Sequence, residues 1–200
     1  MVITRLEETD KSKVRVYIND EYAFLLTRKD IERYHLNEEQ ILTDAEYDRI
    51  LEETIYHRAI EKALSILKFS DRSEVELRNK LFQAEYPPSV IDRVIIYVKE
   101  YDYLNDSRFV SSYIRARMNR KSKLMIKTEL LQKGISKENI EEAFLREYGE
   151  EEEDAEITAI RRAIAKKTSD PETLSPEEKQ KLMASLYRKG FDIGKIKHIL

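Results

Sequence analysis

Val14, Val16 and Ile18 alternate with Arg15 and Tyr17, a period of two that predicts a half-buried strand. Asn19-Asp20 follows as a turn signal, and Glu21 to Leu26 supplies the returning strand. Ile3 to Glu7 is expected to add a third. Thr27 is placed to cap a short helix through Tyr34, and Thr43 or Asp44 to open a longer helix running to about Phe69.

Beyond that point the apolar pattern repeats. Ile60, Leu64 and Leu67 have counterparts 49 residues later in Phe109, Tyr113 and Ala116. The same offset carries Leu77, Leu81 and Tyr86 onto Ile126, Leu130 and Ile135, and Ile91, Val94 and Ile95 onto Ile140, Ala143 and Phe144. A further 56 residues on, Leu182, Leu186, Phe191, Ile196, Ile199 and Leu200 fill these last six positions again. The additional residues fit an insertion in TSDPETLSPEE, where Pro171 and Pro176 mark a break. Each unit reads as three helices, the first unit's spanning Ile60 to Leu67, about 73–84 and about 89–101. Gly134 and Gly190 stand just past the second helix, where the chain needs a left-handed residue, and Ser136 and Asp192 then cap the third. The first unit has Glu85 and Pro87-Pro88 there, so its turn is expected to differ. Three such units in series share a core that one could not build alone, and predict an elongated, curved molecule. The division expected is 1–55 for the hairpin with its helices, then repeats over 56–104, 105–149 and 150–200.

Composition agrees with a mainly α fold: 4 Gly and 4 Pro in 200 residues leave little turn material. Hydrophobic residues make up 41%, enough for a core, and the apolar runs are far short of the ~20 residues a membrane span needs. The absence of Cys excludes a disulfide scaffold, a thiolate zinc site and a cysteine nucleophile, and fits the cytoplasm.

Net charge is only -3, but charged residues are 38% of the chain and fall in blocks. Residues 1–55 carry -6 and 56–104 balance; 105–140 carry +6, 141–160 carry -8 and 161–200 carry +5. Arg115, Arg117, Arg120, Lys121, Lys123 and Lys127 lie within thirteen residues, an electrostatic footprint for phosphates or an acidic protein surface, though a solvated face fits them too. The third unit adds Arg161, Arg162, Lys166, Lys167, Lys189, Lys195 and Lys197. Tyr103, Phe109 and Tyr113 lie near the first cluster and are suited either to base stacking or to the core. His35, His57 and His198 share no metal-ligand spacing, and no Gly-rich phosphate loop occurs. Glu150 to Asp154 is an acidic run that reads as a solvated helix opening rather than a cation site. No catalytic residue, metal site or cofactor site is expected.

RSEVELRNKL (72–81), YLNDSRFVSSYIRAR (103–117) and IKTELLQKGISKENIEEAF (126–144) together resemble the bacterial RecX family, most strongly over about 60–145. The hairpin and the Lys-Gly-Phe unit at Gly190 are similar to the long Gram-positive form. Two departures stand out. Many relatives have Lys-Gly-Pro in place of Lys121-Ser122-Lys123, and long forms continue past the position of Leu200, so the chain is expected to be cut short there.

The resemblance implies a regulator without catalysis of its own. It would bind RecA nucleoprotein filaments and modulate, in the inhibitory direction, RecA's ATPase and strand exchange in recombination, DNA repair and the SOS response. DNA would be met through the filament and weakly by itself, with no membrane partner and as a monomer. The basic residues Arg115, Arg117, Arg120, Lys121, Lys123, Lys127, Arg161, Arg162 and Lys166 are the contact candidates, with Asp106 as a helix cap and Phe109 as core. Direct DNA binding without RecA is the alternative, and a metal-dependent nuclease built on residues 150–154 the third reading.

Overall fold

A computed structural model describes residues 1–9, 12–148 and 152–200, with the side chains of 152–154 left aside. It is mainly helical, with a small antiparallel sheet at the start, and its contacts divide it into two units, 1–105 and 106–200.

The first unit opens with β1 (Ile3–Glu8), β2 (Lys13–Ile18) and β3 (Glu21–Thr27), paired antiparallel in that order. Val14, Val16 and Ile18 point inward and are nearly fully buried, as the alternation requires. The hairpin turns through Asn19 and Asp20, both at positive φ (49° and 68°), the two-residue geometry that matches strand twist. Thr27 caps α1 (Arg28–Tyr34) in a reciprocal box with Asp30, and Thr43 caps α2 (Asp44–Ile50) with Glu46 in the same way. The long helix expected from Thr43 to Phe69 is continuous but not uniform. Between α2 and α3 (His57–Phe69) lies a π-helical stretch, Leu51–Tyr56. It buries Ile50, Thr54, Ile55, Ala59 and Ala63, a spacing of four to five residues that a regular α-helix would sweep off the core face. α4 (Glu74–Gln83), boxed by Ser73 and Glu76, and α5 (Pro88–Glu100) complete the unit's core with Leu77, Leu81, Val94 and Val98. Each such side chain contributes about 1.5–3 kcal/mol by leaving water.

The second unit holds α6 (Asp106–Arg117), α7 (Lys123–Gln132) and α8 (Lys137–Tyr148), then α9 (Glu152–Ala165), α10 (Pro176–Arg188) and α11 (Ile193–Ile199). Each triplet has its own apolar cluster, around Ile126, Leu130 and Phe144 in one, and around Leu186, Phe191 and Ile196 in the other. The 49-residue register holds for the second and third helices, whose matched apolar positions are buried. In the first helix it slips. The fully buried i, i+4 pairs are Ala59/Ala63 and Val110/Ile114, whereas Ala116, matched to Leu67, is exposed.

Two local expectations are corrected. Glu85 adopts the same left-handed conformation (φ 65°) as Gly134 (79°) and Gly190 (78°), so the first turn does not differ in backbone. In all three, the next residue's N–H reaches back to the last turn of the helix, as in Tyr86 to Leu81, Ile135 to Leu130 and Phe191 to Leu186. Asp106 is the first helical residue of α6 rather than the residue before it, where its charge still favours the helix start. Ser136 and Asp192 do accept from the N–H groups of Asn139 (3.2 Å) and Lys195 (2.9 Å), as helix caps should.

Candidate functional site

The nine candidate cations lie in the second unit, and the fold sorts them by what already occupies their charge. Arg115 donates to both carboxylate oxygens of Glu147 (3.0 and 2.9 Å). Burial pushes the Glu147 carboxyl up, but hydrogen bonds from Ser111 and Arg115 outweigh it and hold it below the usual range. Lys121 pairs with Glu129, which also accepts from the Tyr113 hydroxyl at 2.8 Å, and Lys127 pairs with Glu141. Arg117 lies flat over the Tyr113 ring at 3.6 Å, and Lys123 sits over the rings of Phe144 and Tyr148 at 5.1 and 5.7 Å. These five are therefore engaged within the unit.

Arg120, Arg161, Arg162 and Lys166 differ. All four are exposed, and among the described residues none forms an ion pair with a carboxylate. Arg162 donates only to the backbone carbonyl of Asn119, at 3.2 Å. Three of them converge: Arg120, Lys121, Arg162, Lys166 and Lys189 line one cleft of about 440 Å3, with Ser122, Met125 and Phe191 at its floor and sides. Arg161 is not among its lining residues. Among the described residues no carboxylate lines it either, whereas the neighbouring groove of about 970 Å3 is lined by Glu129, Glu141, Glu156 and Asp192.

The cleft has fixed walls. Ser122, fully buried, accepts from Met125 N–H as the cap of α7 and donates to the Lys189 carbonyl at 2.6 Å. The turn before α7 is thus closed by a serine. Gly190 packs so tightly that a Cβ would stand 3.0 Å from Ser122 Oγ and 3.1 Å from Leu124. Lys189, counted with the third unit's cations but not among the contact candidates, is brought into the cleft by the Gly190 turn.

Phe109 is core, as expected, and Tyr113 is half-buried with its hydroxyl committed. Tyr103 is instead 51% exposed and follows Tyr97 and Tyr101 in a run of rings 4.7 and 6.4 Å apart in the first unit. The three histidines are exposed, and no group of three potential metal ligands occurs among the described residues. The acidic run 150–154 lies outside the residues whose side chains are described. No described helix is long and apolar enough to cross a membrane.

Comparison with known proteins places this architecture. Models of the first, second and third three-helix domains of RecX match residues 59–97, 105–143 and 154–200. The regulatory protein RecX of Clostridium acetobutylicum is 34% identical, over 99% of this chain and 94% of its own length. That of Clostridioides difficile is 30% identical, over 100% and 94%. Among solved structures, a crystal structure of regulatory protein RecX covers 98% of this chain and 97% of its own at a TM-score of 0.61 and 20% identity. RecX from Lactobacillus salivarius covers 74% and 95%, with a TM-score of 0.58 and 24% identity. Those two establish likeness of fold. Together with the three domain matches, the identity to the clostridial proteins shows that this chain belongs to the RecX family of regulatory proteins.

Proposed function

We propose that this protein is a RecA modulator: it binds RecA nucleoprotein filaments and inhibits RecA's ATPase and recombinase activity in recombination and DNA repair, without catalysis of its own. The observation that carries the reading is the basic cleft in the second unit, a rigid and uncompensated positive surface in a chain of a regulatory family. Such a surface fits a polyanionic filament better than a small neutral ligand. In this reading the protein acts as a cytoplasmic monomer. Its body is a β-hairpin with helices over 1–55, followed by three-helix repeats over 56–104, 105–149 and 150–200.

The test is RecA ATP hydrolysis on single-stranded DNA with increasing amounts of this protein. A dose-dependent fall in turnover is expected. Unchanged hydrolysis, with no binding to the filament, would remove the reading. Direct DNA binding without RecA is the second possibility, favoured by the same cleft, and predicts equal affinity for bare DNA and for the filament.

A further inference from the structure

We infer that the cleft formed by Arg120, Lys121, Arg162, Lys166 and Lys189 is a binding site for the phosphodiester backbone of a nucleic acid strand. The inference deepens the regulator reading, and rests on it for the setting in which the strand is met.

Charge is the first ground. Among the described residues, only Lys121 of the five cations has a carboxylate partner, Glu129, so the cleft as described keeps four positive charges in excess. The described carboxylates nearby are spent elsewhere: Glu147 on Arg115, Glu141 on Lys127 and Glu156 on Lys195. Four like charges gathered without compensation repel one another and are a cost to the folded state, which an anion in the cleft would reverse.

Hydrogen-bond chemistry separates phosphate from peptide. The cationic side chains offer N–H donors and no acceptors. The one hydroxyl, that of Ser122, already donates to the Lys189 carbonyl. A phosphodiester brings only acceptors and a charge at every residue of its chain. An acidic peptide would bring backbone N–H groups as well, and no side-chain acceptor in the cleft is left to receive them. Both arginines suit phosphate geometry, and Arg162 is held by one bond to Asn119 while its other donors stay available.

Preorganisation is the third ground. The α6–α7 loop supplies Arg120 and Lys121, the end of α9 supplies Arg162 and Lys166, and the turn after α10 supplies Lys189. The Ser122 bond and the close approach of Gly190 lock two of these three walls together, so little ordering is left for the ligand to impose.

The experiment is a salt titration of binding to fluorescein-labelled oligo(dT), comparing the parent with R120A/K166A. R161A/K197A, exposed cations outside the cleft lining, has the same change in charge. Circular dichroism checks that all three are folded; among the described residues these four side chains form no hydrogen bond or ion pair. The expected result is that R120A/K166A binds at least tenfold more weakly at low salt. Its log–log salt slope should be shallower by about 1.4, two phosphate contacts at about 0.7 each. R161A/K197A should stay close to the parent. Equal losses in the two variants would overturn the site, leaving only diffuse charge. If R120A/K166A binds oligo(dT) like the parent but no longer lowers RecA hydrolysis, the cleft meets protein and the phosphate assignment falls while the regulator reading stands. If the parent leaves RecA unaffected while the oligo(dT) results come out as expected, the cleft stands and the regulator reading falls.

Discussion

Arg15 on β2 grips the carboxylate of Glu85 through two nitrogens, Nε at 2.7 Å and Nη2 at 2.9 Å, seventy residues along the chain. The Tyr22 hydroxyl donates to the Glu85 carbonyl at 2.6 Å. Glu85 is the residue that takes a left-handed backbone where the later units use glycine. The sheet therefore holds in place a conformation that costs a residue with a Cβ about 1 kcal/mol. Glu85→Ala should lose the clamp and keep the strain, whereas Glu85→Gly should lose both. Urea denaturation is expected to find the alanine variant less stable than the glycine variant by about 1 kcal/mol, with neither above the parent.

Asp30 is the buried acid of the first unit, held bidentately by Arg58 at 2.6 and 2.9 Å while capping α1 through Thr27. Burial raises its pKa, and the hydrogen bonds from Arg58 and Thr27 more than reverse that, leaving it below the ordinary 3.8. A depressed carboxyl adds stability above its unfolded pKa and loses it as pH falls through the folded one. Asp30→Asn should cost about 1–3 kcal/mol at neutral pH. In melts taken below about pH 4 the gap to the parent should narrow.

Ser122 has two bonds to lose. Ser122→Ala removes both the α7 cap and the donor to Lys189, at a cost of about 1–2 kcal/mol. Gly190→Ala adds a Cβ at φ 78° against Ser122 and Leu124 and should cost about 1–3 kcal/mol. Both are read from thermal unfolding.

Reversing Arg115, Arg117 and Lys123 together looks from the sequence like a harmless change of surface charge. The pairing of Arg115 with Glu147, whose side chain is 9% exposed, says otherwise. R115E places a second carboxylate beside Glu147, which is then left with the longer contact to Arg146 at 3.6 Å, and should destabilise by about 1–3 kcal/mol. K166E, reversing a cation with no partner, should stay within about 0.5 kcal/mol of the parent in the same denaturation experiment.

Local periodicity carried most of the fold. Val14, Val16 and Ile18 identified the strand, and Leu77, Leu81 and their counterparts the second helices, because burial on one face leaves a mark at fixed spacing. The first helices were less legible. Their buried line includes Ala59 and Ala63, small residues that stand out weakly beside Ile60 and Leu64. The cleft was half legible. Proximity in the chain grouped Arg120 and Lys121 with Arg115 and Lys127, yet their acids come from other helices, as Glu147 and Glu141 do. Which cations stay uncompensated is a property of tertiary packing, and so is the arrival of Lys189.

The wide turn between Leu51 and Tyr56 sets the phase of everything that follows it. Because it adds length without changing face, the helix presents Ile50 and Ala63 to the same core across thirteen residues. One residue fewer in that stretch would turn the remainder by about 100° about the helix axis. Ala59 and Ala63 would then swing away from the core they share with Leu77 and Val94, and the larger Ile60 and Leu64 would be driven into the space the two alanines fill. The stretch can therefore accept substitutions at exposed positions such as Glu52 and Glu53, but its length is a fixed count on which the packing of α4 and α5 depends.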